Sequence, residues 1–315
     1  MPDLAPAVNT VVRRCLDVKQ GENVLVIVDR ETQNIGGALR QEASTAGADA
    51  VVTIMDPRET DGTEPPPPIA AAMQACDVFI APTSKSLSHT NARKQASNRG
   101  ARGATMPGVT EDMLARVMDV DFEQMARRSQ AVATILDQAS TAHVSCPRGS
   151  DFNLDLNDRN GISDDGDLSA SGAFGNLPCG EGFISPKDGD GRLVASSIAA
   201  LGLSQDPAVL TIERGRLTNA EGGLGPQLLD LLRSQGEAGT NLAELGVGTN
   251  DRARLTGLIL EDEKILGTVH IAFGASAGIG GNVSVSIHLD VVVLDASLTV
   301  DGQPVLEHGK FILDT

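Results

Sequence analysis

Glu244, His270, His288 and Asp290 are the side chains of this sequence best suited to hold a metal ion, and all fall in its last quarter. They occur in Leu-Ala-Glu244-Leu-Gly, Gly-Thr-Val-His270-Ile-Ala-Phe-Gly and Ser-Ile-His288-Leu-Asp290. Their surroundings are apolar, strand-like or glycine-rich. A carboxylate or imidazole placed there loses water and needs a partner. A divalent metal supplies one, and Glu, His and Asp together suit zinc, cobalt, manganese or iron(II).

Each signal is weak when taken singly. On a strand, His288 and Asp290 project to one face and can reach one ion, yet an exposed strand face explains the pair more simply. His270 in an apolar run reads as a hydrogen-bonded core residue as readily as a ligand. Glu244 between apolar neighbours calls for a cation or an arginine. Glu181 follows the turn sequence Asn176-Leu-Pro-Cys-Gly180. Cys179 beside it is a small residue of a tight turn before it is a nucleophile or ligand. Four such signals in one β-rich region, with His288 and Asp290 taken as one, carry more weight than any one of them.

The elements that must position these groups fall into two textures. Up to about residue 145, strand and helix patterns alternate: Asn23–Val28, Ala50–Ile54 and Asp77–Ala81 as strands, with helices over Ala5–Leu16, Ile35–Ala46, Ala70–Gln74, Asn91–Ala96 and Glu111–Ala139. Alternation of this kind predicts a parallel sheet covered by helices. Beyond it, β-branched runs at Val209–Ile212, Thr256–Leu260, Gly267–Phe273, Val283–Asp290 and Val291–Val300 predict strands, with one helix over Pro226–Ser234. The expectation is an α/β protein: a Rossmann-like parallel-sheet domain over residues 1–145, then a mainly β, α+β domain over 146–315 carrying the metal site. The turn after the first strand is Asp29-Arg-Glu-Thr-Gln-Asn-Ile rather than G-x-G-x-x-G, which excludes a dinucleotide site there. Lys85 and His89 follow the third strand's carboxyl end, where open α/β sheets bind ligands.

A net charge of −17 argues against nucleic acid and anionic membrane as partners. The basic group Arg93, Lys94, Arg99 and Arg102 reads as a solvated helix face before it reads as an anion site. With neither Trp nor Tyr, platforms for stacking bases are nearly absent. Cys15, Cys76, Cys146 and Cys179 form no CxxC, and no signal peptide or apolar span is present, so a cytoplasmic protein with reduced thiols is expected.

The ordered set Asn176-Leu-Pro-Cys-Gly-Glu181, Leu242-Ala-Glu244-Leu-Gly-Val-Gly-Thr-Asn250, Glu263-Lys-Ile-Leu-Gly-Thr-Val-His270-Ile-Ala-Phe-Gly and His288-Leu-Asp290 resembles the thermophilic metalloaminopeptidase family of the aminopeptidase T type. Ser88-His89-Thr and Met106-Pro-Gly-Val-Thr-Glu-Asp-Met113 extend the likeness. The resemblance implies two adjacent divalent metals, zinc, cobalt or manganese, with Glu181, His270, His288 and Asp290 as ligands and Glu244 as the bridge. It implies hydrolysis of a small amide or short peptide by metal-activated water, Glu181 or Glu244 moving the proton. A homodimer is implied as well. The family's metal-contacting tyrosine has no counterpart, Ser276 and Ala277 occupying that loop.

The chain also resembles the iron(II)-dependent 2,5-dihydroxypyridine dioxygenases of the same superfamily, which use a His-His-Asp set. His288 and Asp290 fit two of those positions, and the third falls on Glu244. His89 matches that group's N-terminal base. A set of His270, His288 and Asp290 is an alternative iron site. The presence of Glu181 and Glu244 favours the hydrolase as the first expectation and the dioxygenase as the second.

Overall fold

The structure is a computed structural model and describes residues 2–313. In chain order the strands are β1 (Asn23–Val28), β2 (Asp49–Ile54), β3 (Val78–Ala81), β4 (Arg102–Thr105), β5 (Thr141–Ser145), β6 (Asp151–Asp155), β7 (Gly161–Asp164), β8 (Phe174–Asn176) and β9 (Glu181–Ile184). There follow β10 (Asp188–Ile198), β11 (Gly202–Glu213), β12 (Arg216–Glu221), β13 (Leu242–Gly248), β14 (Val269–Gly274), β15 (His288–Val293), β16 (Ser297–Val300), β17 (Gln303–Glu307) and β18 (Lys310–Phe311).

The chain forms two compact units, residues 1–120 with 166–179, and residues 121–165 with 180–315. This differs from a single division near residue 145, for two physical reasons. The helix Phe122–Asp137 lies against β7 and β9 of the second unit, so closely that a Cβ on Gly161 would meet the Ala133 carbonyl oxygen at 2.0 Å. The segment 166–179 supplies β8 to the parallel sheet, pairing Gly103 with Phe174 and Thr105 with Asn176.

In the first unit a parallel sheet has the order β2-β1-β3-β4-β8. The run Asn-Val-Leu-Val-Ile-Val of β1 is buried after its first residue, as a central parallel strand requires. Asp29, at the carboxyl end of β1, accepts hydrogen bonds from the backbone N–H and hydroxyl of Ser84, both at 2.6 Å, which ties the turns after β1 and β3 together. The basic group is not a solvated helix face throughout. Arg93 lies over the Phe174 ring at 4.1 Å. Arg102 is buried on β4, where it grips Glu22 through two bonds of 2.7 and 2.8 Å and the carbonyls of Leu16 and Asp17.

The second unit is a large antiparallel sheet, β18-β17-β16-β5-β6-β10-β15-β14-β13-β9-β7, with β11 and β12 extending from β10. One face of its centre carries Leu245 and Val247, Val269, Ile271 and Phe273, and Leu289, Val291 and Val293, all in one hydrophobic core. Four expected elements differ, the strand expected over Val291–Val300 being divided between β15 and β16 by a turn at Asp295. The helix expected over Glu111–Ala139 breaks into Glu111–Val117 and Phe122–Asp137, because Asp121 caps the second by accepting from the Gln124 N–H. The strand expected over Thr256–Leu260 is a turn leading into the short helix Ile259–Asp262. The Asp262 carboxylate gathers the N–H groups of Thr256 and Gly257 and holds that turn. The strand expected from Val283 begins only at His288; the N–H groups of Ser276 and Ala277 both bond to the Val283 carbonyl, which folds the preceding residues into a loop. Among the described residues no helix is long and apolar enough to cross a membrane.

Candidate metal centre

Opposite the core face, the second unit's sheet presents the polar side chains found in the sequence. Register places them. Glu244 pairs with Ala272, which pairs with Asp290; Gly246 pairs with His270; Gly274 pairs with His288; Gly248 pairs with Glu181. Each ligand-type residue therefore has glycine or alanine as a cross-strand neighbour, which leaves room for side chains to converge over the sheet. The need is tightest at Gly246, where a Cβ would stand 1.9 Å from His270 Nε2.

Glu244 reaches this face through an irregularity. Leu242 faces Phe273 in the core, and Glu244 two residues on would ordinarily follow it there. The register shifts between Leu242 and Glu244, so the extra residue Ala243 turns Glu244 over to the polar face.

Two groups result, in each of which the ligand atoms lie within 4.8 Å of one another: Glu181, Glu244 and His270; and Glu244, His288 and Asp290. Glu244 belongs to both. Its Oε1 lies 3.3 Å from His270 Nε2 and its Oε2 3.3 Å from His288 Nε2. His288 Nε2 lies 3.6 Å from Asp290 Oδ1. The Ala275 carbonyl, 2.7 Å from His288 Nδ1, accepts that nitrogen's proton and aims Nε2 at the carboxylates. The alternative set of His270, His288 and Asp290 is not among the converging groups of the described residues. His270 Nε2 turns instead to Glu181 Oε2, at 3.1 Å, and to Glu244.

Three participants escaped the sequence reading. Lys264 is fully buried, with Nζ 2.5 Å from Glu181 Oε1, 2.8 Å from Glu263 Oε1 and 3.6 Å from Asp164 Oδ2. Asp164 stands directly opposite Glu181 in the β7–β9 ladder, a like-charge pair that needs a cation between its members. The signal available was the charged run Glu261-Asp262-Glu263-Lys264 between two short apolar stretches. Nothing in the run named the partners, 83 residues away in the case of Glu181.

The electrostatics follow from five carboxylates, Asp164, Glu181, Glu244, Glu263 and Asp290, gathered with one ammonium and two imidazoles. Burial pushes Asp164 up to about 7 and Glu263 up to about 8, Lys264 opposing both shifts. Burial also works against ionised Glu244, but hydrogen bonds from His270 and His288 win and hold it well below the usual carboxylate range. Burial would discharge both imidazoles; the carboxylates beside them instead raise His270 and His288 well above the ordinary histidine value. Protons and a divalent cation are thus alternative ways to discharge this face, and a metal bound here would release protons. The Glu244–His288–Asp290 donors, one nitrogen and carboxylate oxygens, fit a divalent transition metal such as iron(II).

The remaining site candidates belong to the first unit. His89 is exposed in the turn after β3, and Cys179 is buried.

Comparison with known proteins decides between the two resemblances. The family model of NicX, 2,5-dihydroxypyridine 5,6-dioxygenase, matches residues 3–313. The chain belongs to this dioxygenase family. A 2,5-dihydroxypyridine 5,6-dioxygenase of Pseudomonas putida is 23% identical over 258 residues, 76% of this chain and 72% of that protein. The solved 2,5-dihydroxypyridine dioxygenase from Pseudomonas putida KT2440 superposes with a TM-score of 0.84 at 20% identity, covering 99% of this chain and 97% of that one. Wild-type AmpT from Thermus thermophilus superposes with a TM-score of 0.72 at 19% identity, covering 98% and 99%. The last likeness is one of fold. The expectation of an aminopeptidase-like metallohydrolase is overturned by membership of the dioxygenase family. Glu181, whose presence favoured a hydrolase, has another physical partner in Lys264.

Proposed function

We propose that this chain is a ring-cleaving dioxygenase acting on a small dihydroxylated pyridine, with one ferrous ion held by Glu244, His288 and Asp290. The observation that carries the reading is the convergence of one imidazole and two carboxylates from adjacent strands in a chain that matches the dioxygenase family from end to end. When bound, iron(II) supplies the one-electron chemistry through which dioxygen reacts with an aromatic ring. The chain's own residues bind and orient. Ala275 fixes the His288 tautomer, and the paired imidazoles fix the Glu244 carboxylate. Glu244 stands where the family's motif order puts a histidine, so the set carries one more negative charge than a two-histidine site. The role of His89 as that group's N-terminal base rests on motif order alone. Cysteines that form no disulfide among the described residues suit a reducing cytoplasm, and a homodimer is the expected assembly.

The test is anaerobic loading with iron(II), then oxygen uptake and loss of ring absorbance with 2,5-dihydroxypyridine. One dioxygen consumed per ring opened is expected. Iron-loaded protein that consumes no oxygen with any dihydroxylated pyridine would refute the reading.

A further inference from the structure

The two ligand groups share Glu244 but differ in what else touches them. Among the described residues, the ion pairs of Glu244 and Asp290 are to imidazoles alone. Glu181 is different: its Oε1 is already held by the Lys264 ammonium at 2.5 Å. A divalent ion on Glu181 Oε2, His270 and Glu244 would stand within roughly 5 Å of that ammonium, given metal–oxygen bonds of about 2 Å. Like charges so close in a buried site repel strongly.

The lysine has little freedom to withdraw. Its side chain is 1% exposed and is also paired with Glu263 and Asp164. Its carbonyl accepts from the Asn250 N–H at 2.9 Å and its own N–H donates to Glu261 at 2.9 Å. The backbone of Lys264 and Ile265 lies so close to β13 that a Cβ on Gly248 would meet the Ile265 carbonyl oxygen at 2.1 Å. Sheet and loop together fix the ammonium on Glu181.

We propose that Lys264 stands in for a second metal ion, so that the centre takes one divalent ion, at Glu244, His288 and Asp290, and none at Glu181, Glu244 and His270. Lys264 is then a positioning residue: it neutralises Glu181 and leaves Glu244 to a single ion. The inference deepens the one-iron reading above and rests on it.

Manganese(II) is the probe, with equilibrium dialysis and elemental analysis for stoichiometry and electron paramagnetic resonance for spin coupling. The wild-type chain should bind one ion with an isolated-ion spectrum even at excess metal. Lys264→Met keeps the length and removes the charge; it should bind two ions with a coupled spectrum. Glu181→Gln in the wild-type background should still bind one ion, with affinity changed less than tenfold, whereas Asp290→Asn should lose more than a hundredfold. Two coupled ions in the wild type, one ion in folded Lys264→Met, or a hundredfold loss in Glu181→Gln would each overturn the proposal. If Lys264→Met does not fold, the wild-type and Glu181→Gln measurements decide alone. Oxygen uptake is read separately: its absence from a one-ion protein counts against the dioxygenase reading and leaves the role of Lys264 standing.

Discussion

Arg102 of the parallel sheet and Lys264 of the antiparallel sheet are both buried cations on carboxylates, but their surroundings are resolved differently. Arg102 meets Glu22 one charge to one, and its remaining donors reach the Leu16 and Asp17 carbonyls. That system closes with its own side chains. Lys264 meets three carboxylates, and two more lie beside the adjoining imidazoles. This system closes only with added protons or an added ion. A buried charge set that balances itself holds a fold together; one that does not is a place where something else binds.

The sharpest way to break this contrast is at its shared ligand. Glu244→Ala should lower manganese or iron affinity at least 100-fold, beyond the ~10–100-fold typical of changes around a ligand, and abolish oxygen uptake. Equilibrium dialysis and an oxygen electrode measure both. Glu22→Gln in the other unit should leave both unchanged. Next is Gly246→Ala, which forces a Cβ onto the His270 ring. It should cost about 1–3 kcal/mol of overpacking, seen as a lower urea midpoint.

The smallest effect concerns pH. The Arg102 hydrogen bonds are the main cause of a Glu22 pKa lowered from its ordinary 4.5. A lowered carboxylate stabilises the fold above its unfolded pKa and loses that contribution as pH falls through the folded value. Wild type should therefore lose stability below about pH 4.5 more steeply than Glu22→Gln. The difference should be about 1 kcal/mol or less, since Glu22 is partly exposed. Thermal melts across pH 3 to 6 would reveal it, and parallel slopes would count against the pair.

Local pattern carried much of the architecture. The apolar run of β1 and the alternation of helix and strand read directly, because burial on both faces of a parallel sheet leaves a continuous signature. The ligand-type residues were legible too, since buried Glu, His and Asp are costly without a reason. What escaped depends on distant partners. The bulge at Ala243, which turns Glu244 to the polar face, breaks the two-residue period that a sequence reading relies on. Val283, Val285 and Ile287 alternate as a strand does, yet they belong to a loop returning to Ser276. Lys264 looks like any lysine until the ladder sets Asp164 opposite Glu181 and the loop lays an ammonium across them. The first expectation of hydrolysis leaned on Glu181, which without Lys264 looks like a ligand for a second ion; it was the family match that overturned it.

Because the centre is written into strand register, it has a late birthday. Glu181, Glu244, His270 and Asp290 meet only when β9, β13, β14 and β15 have zipped together across more than a hundred residues of chain. A nascent polypeptide still lacking β15 has no His288 and no Asp290 to offer, and an ion held as proposed here could enter only after that strand has emerged and paired with β14.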